Sequence, residues 1–289
     1  MKYSSVFSPS LFAGQTIIVT GGGSGIGRCI AHEFTALGAN VVIVGRTKSK
    51  LLAVQEEITE DGGEVFVQSG DIRDEAAVIE IIENTLSRYG CISGLVNNAG
   101  GQFRTGAENI STKGFEAVIR TNLTGGFIFM REIYSRWMKE NGGNIVNIIA
   151  DIWNGWPDFS HSGAARGGML TLSQALACEW GADNVRVNTV APGGIASSGF
   201  DTYPDTARQA LLEYPDKIPL QRYGTESEVA AAVVFLLSPA AAYITGSCIR
   251  VDGGAPNARQ TWSLKKSKKN EPFNGFHRSA EPELLKQRD

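Results

Sequence analysis

The sequence predicts an α/β protein: a doubly wound parallel sheet of about seven strands with helices on both faces, folded as a single domain. Three observations carry this. Short β-branched runs alternate with helical stretches as far as Gly254, and the runs are too continuously apolar for strands with one wet face. The connections between runs are long enough for right-handed helical crossovers, which make successive strands parallel. At 289 residues and 42% hydrophobic content, the chain has the apolar material for one large core.

In chain order the strands are TIIVTGG, NVVIVGR, EVFVQSGDI, ISGLVNNAG, GNIVNIIA, VRVNTVAPG and SCIRVDGG, bounded by Gly, Asn and Asp. Helical stretches fill the intervals, and ligands of such a sheet sit at the carboxyl ends of its strands. Two segments leave the rhythm. The stretch 194–224, with three prolines and four aromatics, follows a strand end as a substrate lid does, and Tyr203 and Tyr214 within it are packing residues or acids. After Gly254 the pattern stops, and 255–289 mixes a Lys run with Trp262, Phe273 and Phe276, so this extension is either docked or flexible. The folded domain is expected over 12–254.

Composition narrows the partners. With 27 basic and 30 acidic residues the net charge is −3, too weak a field to point to nucleic acid or a membrane surface. Cys29, Cys91, Cys178 and Cys248 are scattered without a paired motif, so no metal site and no disulfide framework is expected. No leader-like start, no run of roughly 18 apolar residues and no peroxisomal address in the final Lys-Gln-Arg-Asp are found, which makes the cytoplasm the expected compartment.

The junction TIIVTGGGSGIGR carries the first chemistry. Gly21, Gly25 and Gly27, with Ser24 and Ile26 between them, form a strand–turn–helix corner where backbone N–H groups face a pyrophosphate. An acidic side chain at the end of the second strand would hold the ribose 2′-hydroxyl of NAD. This chain has Gly45 and then Arg46, whose guanidinium suits a 2′-phosphate, so the expected cofactor is NADP(H).

Thr20-Gly21-x-x-x-Gly25-Ile26-Gly27, Asp71-Ile72, Asn97-Asn98-Ala99-Gly100, Asn122 in TNLTGG, Pro192-Gly193 and the closing VDGG occur in the order of the short-chain dehydrogenase/reductase family, which the chain resembles from about Phe12 to Gly254. The resemblance implies a Rossmann-type domain in a homodimer or homotetramer. It implies further that Asp71 and Ile72 lie at the adenine, Asn98, Ala99 and Gly100 at the adenosine side, and Pro192, Gly193 and Ile195 at the nicotinamide, with Ser197 at the nicotinamide or the phosphates.

Most members of that family complete the site with Ser, Tyr and Lys, the last two one helical turn apart. Here HSGAARGGM puts Ser162 on the Tyr position and Arg166 on the Lys position, with Ile149 or Ala150 near the Ser position. Arg166 can still bond the nicotinamide ribose, and Ser162 can donate to an oxygen bearing developing charge, yet no phenol is left to exchange a proton. Asn122 keeps a proton-relay role by resemblance. His161 is either structural or part of that relay, and Asp151 and Trp153 either line the pocket or shape a turn. NNAGGQF with STKGFEAVIRTNLTGGF, and HSGAAR with ALACEW, are similar to the peroxisomal trans-2-enoyl-CoA and 2,4-dienoyl-CoA reductase branch, whose members also lack the Tyr, which implies hydride transfer to an acyl-CoA double bond. GGIASSGFDTYP and FNGFHR resemble bacterial citronellol and citronellal dehydrogenases, which implies a terpenoid substrate instead. A catalytically silent NADP-binding scaffold is the third reading.

Overall fold

The computed structural model describes residues 2–202, 208–259, 261–267 and 269–286; Tyr203 lies outside the described residues. Seven strands, β1 (Thr16–Thr20), β2 (Asn40–Gly45), β3 (Val65–Ser69), β4 (Gly94–Asn97), β5 (Gly143–Ile148), β6 (Val185–Pro192) and β7 (Cys248–Val251), form one parallel sheet in the order β3-β2-β1-β4-β5-β6-β7. Val19 of β1 opposes Ile43 of β2 on one side and Val96 of β4 on the other.

The continuous apolar runs are explained by burial on both faces. Successive side chains point to opposite sides, so Ile17 and Val19 join one core layer while Ile18 joins the other, and β2 divides Val41 and Ile43 from Val42 and Val44 in the same way. The first layer packs under α1 (Gly25–Ala36), α2 (Lys48–Glu60) and α9 (Glu226–Leu237), through Phe34, Leu51 and Val233, and the short α8 (Arg208–Glu213) precedes α9 in the chain. The second packs under α3 (Glu75–Tyr89), α5 (Gly125–Ile133) and α7 (Ser160–Trp180), through Ile82, Phe129 and Met169.

Between β4 and β5 the chain is almost continuously helical: α4 (Thr112–Ile119), a π-type turn at Arg120–Thr124, α5, a second π-type turn at Tyr134–Met138, and α6 (Lys139–Asn141). Strand order reverses between β1 and β4, and that switch point opens the crevice where a doubly wound sheet takes its ligand. No helix among the described residues is long and apolar enough to cross a membrane.

After β7 the described residues around Phe276 are docked, whereas Trp262 is exposed. Phe276, 1% exposed, lies against His32 of α1 at 5.0 Å between ring centroids and under the Arg28 guanidinium at 4.8 Å. Its backbone N–H donates to Ser227 Oγ at 3.1 Å, and the Gly275 carbonyl accepts from Ser4 N at 2.9 Å. Arg278 pairs with Asp61 and Glu60 at the end of α2. The segment thus ties the amino-terminal arm to α1, α2 and α9.

Candidate active site

At the switch point the glycine turn is shaped by close approach. Gly21 has φ +69, and a Cβ there would lie 2.8 Å from Asn98 Nδ2 and 2.9 Å from Ala99 Cα. A side chain at Gly27 would run into the Gly21 carbonyl oxygen, so the helix can pack this close to the turn only with glycine. Thr20 Oγ1 accepts from Asn98 N and Ala99 N, both at 3.0 Å, and Asn98 Nδ2 donates to the Thr20 carbonyl at 3.0 Å. Asn98 and Ala99 therefore fasten the ends of β1 and β4 together. Ser24 precedes α1 in extended conformation and its hydroxyl makes no cap bond, which leaves Ile26, Gly27 and the rest of the first turn with N–H groups available to an anion.

Arg46 lies exposed at the end of β2 with no hydrogen-bond or ion-pair partner among the described residues. Asp71, past the end of β3, is bound by Arg73 through Nε at 2.9 Å and through a terminal nitrogen at 2.6 Å. Arg73, with Arg46 adding its charge, holds the Asp71 carboxyl below the usual carboxylate range. Ile72 is buried and fills the space beside Gly125. An open cavity of about 500 Å³ borders Asp71, with Arg73, Lys113 and Arg120 among its lining residues. Asp74 and Glu116 also line it, so the cavity carries three cations and three acids, of which Asp71 is paired with Arg73.

The catalytic station is built by α7 and two loops. Arg166 is 9% exposed; a terminal nitrogen donates to the Ile148 carbonyl at 2.7 Å, while its Nε is enclosed without a partner among the described residues. Burial pulls its guanidinium down to about 10, so it is still charged at neutral pH. Gly100 lies against Arg166 and Asn122. Asn122, 2% exposed in the first π-type turn, accepts from Gly101 N at 2.8 Å and donates to the Gly101 carbonyl at 2.9 Å, pinning the loop after β4.

That loop was only partly anticipated. Ser162 is fully buried, and its hydroxyl donates to Gln102 Oε1 at 2.8 Å, while Gln102 itself is exposed. His161 is fully buried too; among the described residues neither ring nitrogen has a partner, and Phe103 meets its ring edge-on at 4.4 Å. Gln102 and Phe103 stand in the quoted NNAGGQF motif, but nothing in their spacing announces a partner 60 residues away.

Pro192 ends β6, and Gly193 sits over Asp252. Ile195 is buried and paired with Gly224, whose N–H donates to the Gly194 carbonyl at 2.9 Å. The base of the 194–224 excursion is closed by this pairing. Ser197 follows it and turns the chain toward Phe200, which meets Tyr223 edge-on at 5.1 Å. Asp151 and Trp153 lie just past β5, with Arg250 over the Trp153 ring at 5.4 Å.

Residues 21–256 match a family described as enoyl-(acyl carrier protein) reductase. The chain is 36% identical over 257 residues to peroxisomal 2,4-dienoyl-CoA reductase [(3E)-enoyl-CoA-producing] of Danio rerio, covering 88% of this chain and 85% of that protein. It is 35% identical over 243 residues to the probable 2,4-dienoyl-CoA reductase of Bacillus subtilis (strain 168), covering 83% and 96%. Among solved structures, the citronellol catabolism dehydrogenase (AtuB) of Pseudomonas aeruginosa PAO1 is 53% identical with a TM-score of 0.80, covering 88% of this chain and all of that one.

Proposed function

The chain belongs to the short-chain dehydrogenase/reductase family, an oxidoreductase family, and from that premise we propose that it is an NADP(H)-dependent reductase of the conjugated double bond of an acyl-CoA thioester. The observation that carries the reading is the station on α7, where Ser162 and Arg166 replace the family's Tyr and Lys and the Ser162 hydroxyl is bonded to the amide oxygen of the exposed Gln102. Such a station can polarise an oxygen but has no tuned acid, and conjugate reduction is the family chemistry that tolerates this best. Charge spreads from the carbon skeleton onto a thioester oxygen, which needs a hydrogen-bond donor and not a proton.

The residues fit the cofactor: the glycine turn leaves room for a pyrophosphate, and Arg166 Nε is an enclosed donor awaiting an acceptor. When bound, the nicotinamide supplies the hydride. The first turn of α1 holds the pyrophosphate and Arg46 the 2′-phosphate. Arg166 orients the nicotinamide ribose, with Asp71, Ile72, Asn98, Ala99 and Gly100 lining the adenosine side and Pro192, Gly193, Ile195 and Ser197 the nicotinamide side. Asn122 fixes the loop carrying Gln102, Ser162 fixes the Gln102 amide, and Gln102 Nε2 donates to the thioester oxygen; His161 packs beneath. The excursion 194–224 covers the acyl chain as a lid. We propose a homodimer or homotetramer, by likeness to the family.

A second reading, a terpenoid alcohol or aldehyde dehydrogenase, is favoured by the 53% identity to the protein of citronellol catabolism. A side-by-side assay separates the two. The first expects NADPH consumption with a trans-2-enoyl-CoA and little NADPH from citronellol plus NADP⁺; the second expects the reverse.

A further inference from the structure

The helix α8 of the excursion 194–224 cannot hold itself in place. It has six residues, none of them buried, against the roughly 12–15 residues at which an isolated helix becomes even marginally stable, so its position has to come from contacts with other parts of the chain. Some of these are internal to the excursion. The Tyr223 hydroxyl donates to the Leu211 carbonyl at 2.6 Å, and the Tyr223 ring meets Phe200 edge-on and stacks on Tyr214 at 5.7 Å.

Others come from the C-terminal segment, which grips the excursion at two places. Its last turn, Glu283–Leu285, packs against the turn Ser198–Thr202 and against α8, with Leu284 7% and Leu285 9% exposed. Leu284 N donates to Asp201 Oδ1 at 3.0 Å, and Arg208, the first residue of α8, donates to the Lys286 carbonyl. On the returning limb, Ser267 N donates to Gln221 Oε1 at 2.8 Å, Asn270 Nδ2 donates to the Leu220 carbonyl at 3.1 Å, and Lys266 pairs with Asp216. Both limbs of the excursion are thus held from outside by the same stretch of chain.

Between these two grips the segment is fastened to the body of the domain. The Phe273 carbonyl accepts from Thr225 Oγ1 at 2.6 Å and its N–H donates to Glu228 Oε1 at 3.3 Å, while Phe276 is seated on α1 and α9 and Arg278 on the end of α2. We infer that residues 283–286 are a strap that holds the outer limb of the excursion down, so that the C-terminal segment sets how tightly the lid closes on an extended substrate, an inference that rests on the lid reading above. The strap grips through Leu284 and Leu285, which give up exposed apolar surface, whereas the exposed Lys266–Asp216 pair contributes little.

The consequence falls on binding rather than on chemistry. Ser162 and Arg166 stand on α7, a 21-residue helix packed in the second core layer, and the glycine turn stands between β1 and α1, so both keep their places when the strap lets go. A loosened lid loses contacts that are equally present before and during hydride transfer, which raises KM and leaves kcat where it was. A long acyl chain reaches more of the lid than a short one, so the loss grows with chain length.

The test compares the parent protein with the double variant Leu284→Asp, Leu285→Asp and with a chain ending at Pro282, both of which keep the body contacts of Phe273, Phe276 and Arg278. The first measurement needs no substrate. Hydrogen exchange of the amides of 198–202 and 208–213 should be about tenfold faster in both variants, with the sheet protected as in the parent. Unchanged exchange in these two segments overturns the strap, and so does faster exchange that extends through the sheet, because the segment would then support the whole fold and not the lid. The second measurement is steady-state kinetics with NADPH. KM for trans-2-dodecenoyl-CoA should rise about tenfold in both variants while KM for crotonyl-CoA changes less than about twofold and kcat stays parental. A parental KM for the long substrate, in variants whose lid exchange has quickened, overturns control of the substrate by the strap. An inert enoyl-CoA with the parent protein overturns the functional reading, and the exchange measurement still decides the strap.

Discussion

On the proposed reading Ser162 and Gln102 act as a unit, since among the described residues the only hydrogen bond of the buried hydroxyl is to the amide oxygen. Removing one oxyanion donor commonly costs about 10² in kcat, so Gln102→Ala should lose about that much and Ser162→Ala a comparable amount through misorientation of the amide. The double variant should be no slower than the slower single one; additive losses in steady-state kinetics would mean that the two act separately. Arg46 makes a different prediction, because it is exposed and unpartnered. Arg46→Ala should weaken NADPH binding about tenfold, roughly 1.4 kcal/mol, and leave NADH unchanged in a fluorescence titration. The glycines, Asn122 and Arg166 were legible as sequence because motif order and helical spacing fix their places. The role of Gln102 was not, since it arises from a contact between two loops that only the fold brings together.

The same contrast holds among the elements. All seven strands are readable as apolar runs because a sheet covered on both sides demands them. The π-type turn at Arg120–Thr124 left no periodic trace; it depends on the buried Asn122 side chain gripping Gly101. Docking of the last segment was also open, because three aromatics in a polar tail do not reveal where they pack. Phe276 is now the keystone of that element, and Phe276→Ala should cost about 3–5 kcal/mol in a denaturant titration, as loss of a buried Phe does. A value below about 1 kcal/mol would show that the segment contributes little. At the start of α9, Glu226 is 8% exposed, and burial, opposed by Arg28, lifts its carboxyl from 4.5 to about 7. A folded-state value above the unfolded one means that stability is full below about pH 4.5 and declines as pH rises toward about 7. Glu226→Gln should therefore be more stable than the parent protein at pH 8, by up to about 3 kcal/mol, with the advantage gone at pH 4. An equal gain at both pH values in thermal unfolding would refute the assignment to ionisation.

At the scale of the whole molecule, one topological fact organises the chemistry. Reversal of strand order between β1 and β4 splays the strand ends, and the glycine turn, the Asn122-pinned loop, α7 and the turn after β6 all meet along that crevice. The 194–224 excursion leaves this region from a base closed by Ile195 and Gly224, and Phe200 meets Tyr223 edge-on among its described residues. That architecture is common to many oxidoreductases; the reaction is decided by what stands at the α7 station, where this chain offers an amide donor and no phenol. The central claim is therefore that hydride goes to carbon conjugated with a thioester. The most direct measurement is mass analysis of the product formed from a trans-2-enoyl-CoA and NADPH by the purified protein in D₂O. The account predicts the saturated acyl-CoA carrying one solvent deuteron at the α-carbon. Unchanged enoyl-CoA, from a preparation that oxidises citronellol with NADP⁺, would contradict it.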